Sequence, residues 1–152
     1  MLRKGTYILI LKAGEPVEIQ VGRLGKFRLE SGYYAYIGSG LNSLDGRLRR
    51  YFGAAPSKKH WHIDYLLAEI RPVAAFCHIS EERTECRVAE LLADKYPVAI
   101  AGFGSSDCRC TGHLFYLGRN LPKLFRGRKF RLRELAFSPI HRTPGCRQGA
   151  SE

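Results

Sequence analysis

The alternation of hydrophobic and polar positions predicts a chain that opens with strands and continues with alternating helices and strands. Residues 4–12 form an almost continuous apolar run, which is typical of a central strand. Segments 17–21 and 26–30 alternate between apolar and polar residues, so each is predicted to be a strand with one solvated face. With a fourth strand over 33–38, the pattern predicts an antiparallel meander.

Helical spacing begins after these strands, where Leu44, Leu48 and Tyr51 fall on one stripe. The later elements are expected to be a short helix over 60–69, a strand over 72–79, a helix over 85–96 and a strand over 113–117. This order predicts one α/β (α+β) domain over residues 1–138, with a small mixed or antiparallel central sheet flanked by helices. Residues 139–152 turn polar and are predicted to form a flexible tail.

Charge changes this picture, because the chain is strongly basic. It carries 25 Lys and Arg against 14 Asp and Glu, a net charge of +11, and residues 114–152 hold +7 of it. A charge of this size favours a polyanionic partner, and we expect nucleic acid, DNA rather than RNA. The side chains expected to contact it are Lys58, Lys59, Arg126, Arg128, Lys129, Arg131 and Arg133.

Composition argues against other classes of protein. No apolar run approaches the length of a membrane span, and the first residues lead into a strand without a signal cleavage site. Segment 126–135 alternates with a period of two, unlike a membrane-surface helix. Five cysteines in 152 residues are too few for a disulfide scaffold. We therefore expect reduced thiols and a cytoplasmic protein.

The first candidate for chemistry is the stretch where the fourth strand breaks at glycines. Tyr36 leaves this strand, and Arg47 follows on the next helix, on one face with Leu44 and Tyr51. A tyrosine, a glycine turn and an arginine on a helix can converge on one phosphate, which favours a nuclease site. An ordinary strand–turn–helix with a solvated basic helix fits the same residues, because short motifs often match by chance.

A phosphodiesterase needs a carboxylate to hold a divalent cation, and the predicted helix over 85–96 offers Glu85 and Glu90. Glu90 falls on a polar stripe and is expected to be solvated. Glu85 shares its stripe with Val88 and Leu92, where a bare charge is too costly to bury without a partner. Glu85 is therefore the predicted Mg²⁺ or Mn²⁺ ligand. The alternative is a first-turn acid favoured by the helix dipole.

Together these residues resemble the GIY-YIG nuclease superfamily. Its motifs are matched by Gly5-Thr6-Tyr7, by Tyr36-Ile37-Gly38, by Arg47 with Tyr51 four residues on, and by the isolated Glu85. The pattern is similar to the N-terminal incision domain of the bacterial excision-repair endonuclease. Over residues 4–118 the chain more specifically resembles a small prokaryotic subfamily that is sometimes fused to endonuclease III-type glycosylases. The segments that carry this match are 22–25, 34–40, 59–66, 85–86 and 102–116.

The resemblance implies a metal-dependent endonuclease that hydrolyses phosphodiester bonds in DNA, in repair or structure-selective cleavage. The implied catalytic residues are Tyr7, Tyr36, Arg47, Tyr51 and Glu85. Glu85 would hold Mg²⁺ or Mn²⁺, and Arg47 would stabilise the charge of the transition state. Tyr36 or Tyr7 would orient and deprotonate the attacking water, and Tyr51 would hydrogen-bond the phosphate or the water. A repair glycosylase is an implied partner.

The chain departs from the superfamily at three points. Thr6 replaces the isoleucine of the first motif, which leaves the tyrosine in place. Ser39 stands where the repair enzymes carry a lysine, so that cationic contact would come from elsewhere, for example Lys58 or Lys59. The two motif tyrosines are also further apart than usual, because segments 17–21 and 26–30 insert an N-terminal β-hairpin.

Cys108, Cys110 and His113 suggest a second metal site. With His60 or His62 as the fourth ligand they could form a structural zinc site of two cysteines and two histidines. The favoured alternative is a loop of reduced thiols with His113 bound to a backbone carbonyl, because one residue between the cysteines is a tight spacing. Trp61 is expected to pack in the core.

Two other function classes stay open on the sequence. A nucleic-acid-binding module that kept the fold and lost catalysis would bind in a salt-sensitive way without cleavage. A zinc-stabilised interaction module for a repair glycosylase would hold zinc tightly.

Overall fold

The protein is described here by a computed structural model, which covers residues 3–40, 42–53, 58–106 and 108–126, and the backbone alone of residues 129–131 and 139–142. The helices are α1 (Leu44–Phe52), α2 (His62–Leu67) and α3 (Glu85–Ala93). The strands are β1 (Gly5–Ala13), β2 (Val17–Val21), β3 (Gly25–Leu29), β4 (Gly32–Gly40), β5 (Arg71–Ile79), β6 (Leu114–Gly118), β7 (Lys129–Arg131) and β8 (Pro139–Arg142). No helix in these ranges is long and apolar enough to cross a membrane.

The strands form an antiparallel sheet in the order β6-β4-β1-β5-β8-β7, with β2 and β3 as a separate hairpin. The predicted α+β class and the predicted inserted hairpin are confirmed. The predicted meander is wrong, because β1 pairs along its whole length with β4 rather than with β2. The apolar face of the hairpin packs in the same core cluster as α1 and α2, and β2 contacts α2.

The central strands bury both faces, which explains their almost continuous apolar sequence. In β1, Tyr7, Leu9 and Leu11 point to one face, where α1 and α2 pack, while Ile8 and Ile10 point to the other, where α3 packs. Helices α1 and α3 therefore lie on opposite sides of the sheet. Any site that uses both must lie at an end of the strands.

Two sequence expectations meet the structure in the later part of the chain. The predicted domain boundary at residue 138 falls directly before β8, whose backbone pairs with β5 and β7. Cys77 in β5 is buried in the core, as expected, but it is disulfide-bonded, so the expectation of reduced thiols is wrong for this residue. Cys86, Cys108 and Cys110 are free thiols.

Candidate active site

A cleft lies at the end of β4, where the first turns of α1 and α3 approach each other. Two adjoining depressions share Ser39, Arg47 and Glu85 in their walls, and one of them has a volume of about 460 Å³. Tyr36 lines the inner part of the cleft and Arg83 its outer part. The structure thus brings Arg47 and Glu85 to one place, although their helices pack on opposite faces of the sheet.

Glu85 reaches the cleft because the start of α3 is tied to β1. The hydroxyl of Thr84, the N-cap residue, forms a buried 2.7 Å hydrogen bond with the hydroxyl of Thr6, rather than a capping bond to the helix. Glu85 Oε1 then accepts a 2.7 Å hydrogen bond from the Ser39 hydroxyl, and its Oε2 lies 2.8 Å from Nδ1 of His113. Both carboxylate oxygens are therefore held.

Opposing effects act on the pKa of Glu85. Burial alone would raise it, but hydrogen bonds from His113 and Ser39 and the charge of Arg47 outweigh burial, so the pKa is lowered. Glu85 is ionised at neutral pH while its side chain keeps 24% of its surface exposed. By contrast, Glu90 is exposed, as predicted.

Arg47 is held from two sides. Its Nη1 donates a 2.6 Å hydrogen bond to the Ser39 carbonyl, and its guanidinium lies 4.6 Å from the centre of the Trp61 ring. Arg50, one turn along α1, lies 4.9 Å from the same ring. Trp61 is 39% exposed and lines the cleft, so the expectation that it packs in the core is wrong. Its ring presents a π face to cations instead.

Asp64 supports this arrangement from behind. It is fully buried, pairs with Arg50 across 2.8 Å, and accepts hydrogen bonds from the backbone N–H groups of His60 and Trp61. Burial would raise the pKa of Asp64, but the bonds from Arg50 and the two N–H groups lower it below its usual value. Asp64 thereby fixes Trp61 at the start of α2.

The three motif tyrosines form a group behind the cleft. The hydroxyls of Tyr7 and Tyr51 are 2.7 Å apart, and the ring centres of Tyr7 and Tyr36 are 6.1 Å apart. Tyr36 borders the cleft, whereas Tyr7 and Tyr51 are buried in the core. Burial raises the pKa of all three above its usual value, and the nearby Arg47 only partly opposes this. All three phenols are therefore protonated at neutral pH.

Gly38 makes room for this tyrosine group. A Cβ at this position would lie 2.2 Å from the Tyr7 hydroxyl oxygen, far inside a normal contact. The glycine of the Tyr36-Ile37-Gly38 motif is required by the space that the Tyr7 hydroxyl occupies, and not by its backbone conformation, since its φ is not positive.

Beside Glu85 lies a cluster of Cys86, Cys108, Cys110 and His113, hereafter the Cys₃His cluster, which could hold a metal ion. Its ligand atoms all lie within 4.8 Å of one another. Burial and the thiols of Cys110 and Cys108 raise the pKa of Cys86 to about 12, and burial also raises the pKa of Cys110. The prediction of His62 as fourth ligand is wrong, because its Nδ1 accepts a hydrogen bond from the Gly104 N–H and Cys86 takes its place.

The residues predicted to contact nucleic acid are not among the described residues that line the cleft. Lys58, Lys59 and Arg126 are exposed elsewhere on the surface. Arg126 follows Phe125, which packs in the core on the α3 side of the sheet. The side chains of Lys129 and Arg131, and all of Arg128 and Arg133, lie outside the described residues.

Sequence reasoning missed several residues of the site. Arg83 lines the cleft and offers the positively charged side chain that the sequence analysis expected from Lys58 or Lys59. Asp64 carried a usable signal, since an acid at i+3 from the start of a helix commonly caps it. Cys86 carried none, because a single helical cysteine has no spacing that links it to Cys108, 22 residues later.

Comparison with known proteins gives one match. The model of a family described as a domain of unknown function, DUF123, matches residues 6–130. No curated protein and no solved structure matches the chain. The matched residues include the tyrosine group, both helices that border the cleft and the Cys₃His cluster. The chain belongs to the DUF123 family.

Proposed function

We propose that the protein is a metal-dependent endonuclease that hydrolyses phosphodiester bonds in nucleic acid, DNA by preference. One observation carries the proposal: Arg47 and Glu85, from helices on opposite faces of the sheet, meet at one open cleft with Tyr36 in its wall. Ser39 fixes both side chains at the cleft, because its hydroxyl donates a hydrogen bond to Glu85 and its carbonyl accepts one from Arg47.

Glu85 fits the requirements of a Mg²⁺ or Mn²⁺ ligand. It is ionised and partly exposed. Its Oε1 accepts one hydrogen bond, from Ser39, and its Oε2 lies 2.8 Å from His113 Nδ1, whereas each oxygen has capacity for two hydrogen bonds. Mg²⁺ is typically held by one or two carboxylates, with water and substrate phosphate completing its shell. Such an ion, when bound, would neutralise charge on a phosphate oxygen.

Arg47 is the residue proposed to stabilise the transition state. Its Nη1 is engaged with the Ser39 carbonyl and its ring contact with Trp61 fixes the plane of the guanidinium. The remaining N–H groups form a preorganised fork, which suits the oxygens of a phosphate. Removal of one such preorganised donor typically lowers kcat by about 10²–10³-fold.

The tyrosines are proposed to orient the attacking water rather than to deprotonate it unaided. Because burial raises the pKa of Tyr36, its hydroxyl is a hydrogen-bond donor at neutral pH. Tyr7 packs against the Tyr36 ring from the core and is itself hydrogen-bonded to Tyr51. A role for Tyr36 as general base would require the added charge of a bound cation.

The test is a cleavage assay on plasmid and on labelled duplex, forked and single-stranded oligonucleotides of DNA and RNA, with Mg²⁺ or Mn²⁺. We expect Arg47→Ala and Glu85→Gln to lose activity by about 10²-fold or more. Arg49→Ala and Glu90→Gln are matched controls, since each removes an exposed residue of the same type from the same helix. Equal cleavage by all five proteins would refute the assignment. Salt-sensitive binding without cleavage would favour the binding module instead.

The Cys₃His cluster is proposed to bind Zn²⁺ as a structural ion, since three sulfurs and one imidazole are a common structural zinc set. This cluster also favours a second function, a zinc-stabilised interaction module with a repair glycosylase as its partner. In that case Arg47 and Glu85 would be dispensable for partner binding.

A further inference from the structure

The spacing of the ligand atoms in the Cys₃His cluster approaches that of a tetrahedral zinc site. Zn–S bonds of about 2.3 Å and Zn–N bonds of about 2.0 Å at tetrahedral angles place sulfur and nitrogen about 3.5 Å apart. The observed distance between Cys108 Sγ and His113 Nε2 is 3.5 Å. This distance already matches that spacing, and all the ligand atoms lie within 4.8 Å of one another.

His113 is the member of this cluster that also contacts Glu85. Its Nε2 points at Cys108 and its Nδ1 lies 2.8 Å from Glu85 Oε2. Its side chain is fully buried, so solvent does not compete for either nitrogen. Its backbone is fixed as well, because its N–H donates to the Phe103 carbonyl and its carbonyl accepts from the Ile37 N–H.

We propose that His113 couples a Zn²⁺ ion in the Cys₃His cluster to Glu85, so that zinc positions the carboxylate that binds the catalytic cation. This inference rests on the proposed function, because it assigns Glu85 to a second metal ion. His113 is a positioning residue for that carboxylate. A ring nitrogen bound to metal on one side commonly donates its other N–H to a carboxylate, which fixes the tautomer and the orientation of the ring.

The coupling follows from the tautomers of His113. With zinc on Nε2, the proton of a neutral ring must be on Nδ1, where it is donated to Glu85. Without zinc, the ring can carry its proton on Nε2, facing Cys108. Nδ1 then presents a lone pair to the Glu85 carboxylate, and that contact becomes repulsive. Glu85 is left with Ser39 alone among the hydrogen-bond donors observed for it.

Zinc would also fix the wall of the cleft. Cys86 belongs to the first turn of α3 and is the direct neighbour of Glu85, while Cys108 and Cys110 belong to the loop that leads into β6. Cys86 and Cys108 both line the outer part of the cleft. A shared ion would therefore join the helix that carries Glu85 to the loop that faces it.

The first part of the test is metal content. Purified protein is expected to hold one zinc per chain, and Co²⁺ substitution should give the visible absorption bands of a tetrahedral thiolate site. Cys110→Ser is expected to lose most of the zinc. His62→Ala is the matched control, since it removes a nearby histidine that lies outside the cluster, and it should keep its zinc. Zinc-free wild type, or full zinc in Cys110→Ser, would overturn the site.

The second part measures Mn²⁺ binding by electron paramagnetic resonance, in zinc-loaded and zinc-stripped protein, with Glu85→Gln as the blank. Loss of the supporting contact is expected to weaken Mn²⁺ binding on the order of tenfold. Zinc-loaded His113→Cys offers four thiolates but no donor to Glu85, and it should show the same weakening even if the stripped protein unfolds. Unchanged Mn²⁺ affinity in both would refute the coupling.

These readouts separate the two proposals. If Mn²⁺ affinity follows zinc while no substrate is cleaved, the coupling stands and the nuclease function fails. If cleavage requires Arg47 and Glu85 but survives zinc removal at full rate, the nuclease function stands and the coupling fails.

Discussion

Replacement of Gly38 by alanine tests the tyrosine group most directly. The new Cβ would lie 2.2 Å from the Tyr7 hydroxyl oxygen and 2.4 Å from its ring carbon Cζ. Ordinary contacts begin near 3.4 Å, so the end of the ring must move by about 1.2 Å. Tyr7 is 1% exposed, and the surrounding core leaves it little freedom to do so.

The size of the effect follows from what this movement breaks. A shift of that size away from Tyr51 would stretch their 2.7 Å hydrogen bond beyond bonding distance. A lost hydrogen bond costs about 1 kcal/mol and overpacking about 1–3 kcal/mol, so we expect a loss of about 2–4 kcal/mol of unfolding free energy. For a chain of this size the melting temperature falls by about 2–4 °C per kcal/mol. Because Tyr7 packs against Tyr36, the shift should misplace Tyr36, and cleavage should fall by about 10²-fold.

The assay pairs thermal unfolding with the cleavage rate. Gly14→Ala is the matched control, since a Cβ at Gly14 meets no atom within 4 Å, and its change should stay within about 0.5 kcal/mol. Tyr7→Phe removes the hydroxyl without adding a clash and should cost only about 1 kcal/mol. Wild-type melting and cleavage in Gly38→Ala would show that Tyr7 has room to move and would refute the reasoning.

Three further predictions concern the residues around Arg47. Asp64→Ala should cost about 3–5 kcal/mol, because it leaves Arg50 and two backbone N–H groups without their acceptor. The pKa of Asp64 is lowered in the folded state, so its contribution to stability is present above the unfolded pKa of about 4 and is lost as the pH falls through the folded value. Calorimetry should therefore show that the difference in stability between Asp64→Ala and wild type becomes smaller in acid. Trp61→Ala should lower cleavage about tenfold and stability by no more than about 2 kcal/mol, since two cation–π contacts at a partly exposed ring are lost; equal kinetics would contradict a positioning role. Thr6→Val should cost about 1–3 kcal/mol by leaving the buried Thr84 hydroxyl unpaired, whereas Thr6→Ser should be milder in the same melting experiment.

The helices and strands were predictable where the hydrophobic positions followed a single clear pattern along the chain. The stripe of Leu44, Leu48 and Tyr51 is the buried face of α1, and the apolar run over 72–79 is β5. Strand pairing was not predictable in the same way, because periodicity fixes which face a strand buries and not which neighbour it pairs with. The meander assumed sequential neighbours, whereas the half-polar β2 and β3 are suited to a hairpin outside the sheet.

The site was predictable where burying a residue would cost free energy unless it had a function or a partner. Glu85 stood out as a charge on an apolar stripe, and the structure supplies Ser39, His113 and Arg47 around it. Trp61 was misjudged, because an aromatic residue at the start of a helix looks the same whether it faces the core or a pair of arginines. The arrangement of Arg47 and Arg50 over its ring depends on how α1 and α2 pack, which no local pattern encodes.

Because Glu85 and Cys86 are neighbours in the chain, the two candidate metal sites are expected to be coupled. Successive residues of a helix point about 100° apart, so adjacent side chains in one turn face different directions. In the first turn of α3 this divergence sends Glu85 into the cleft and Cys86 into the Cys₃His cluster. A change in the rotation of that turn would move both ligands together. His113 also links the two candidate sites, because its Nδ1 lies next to Glu85 and its Nε2 lies next to Cys108. The hydrogen bond between Thr6 and Thr84 ties this turn to β1, so these two hydroxyls, together with the packing of Val88, Ala89 and Leu92, help to position both candidate metal sites.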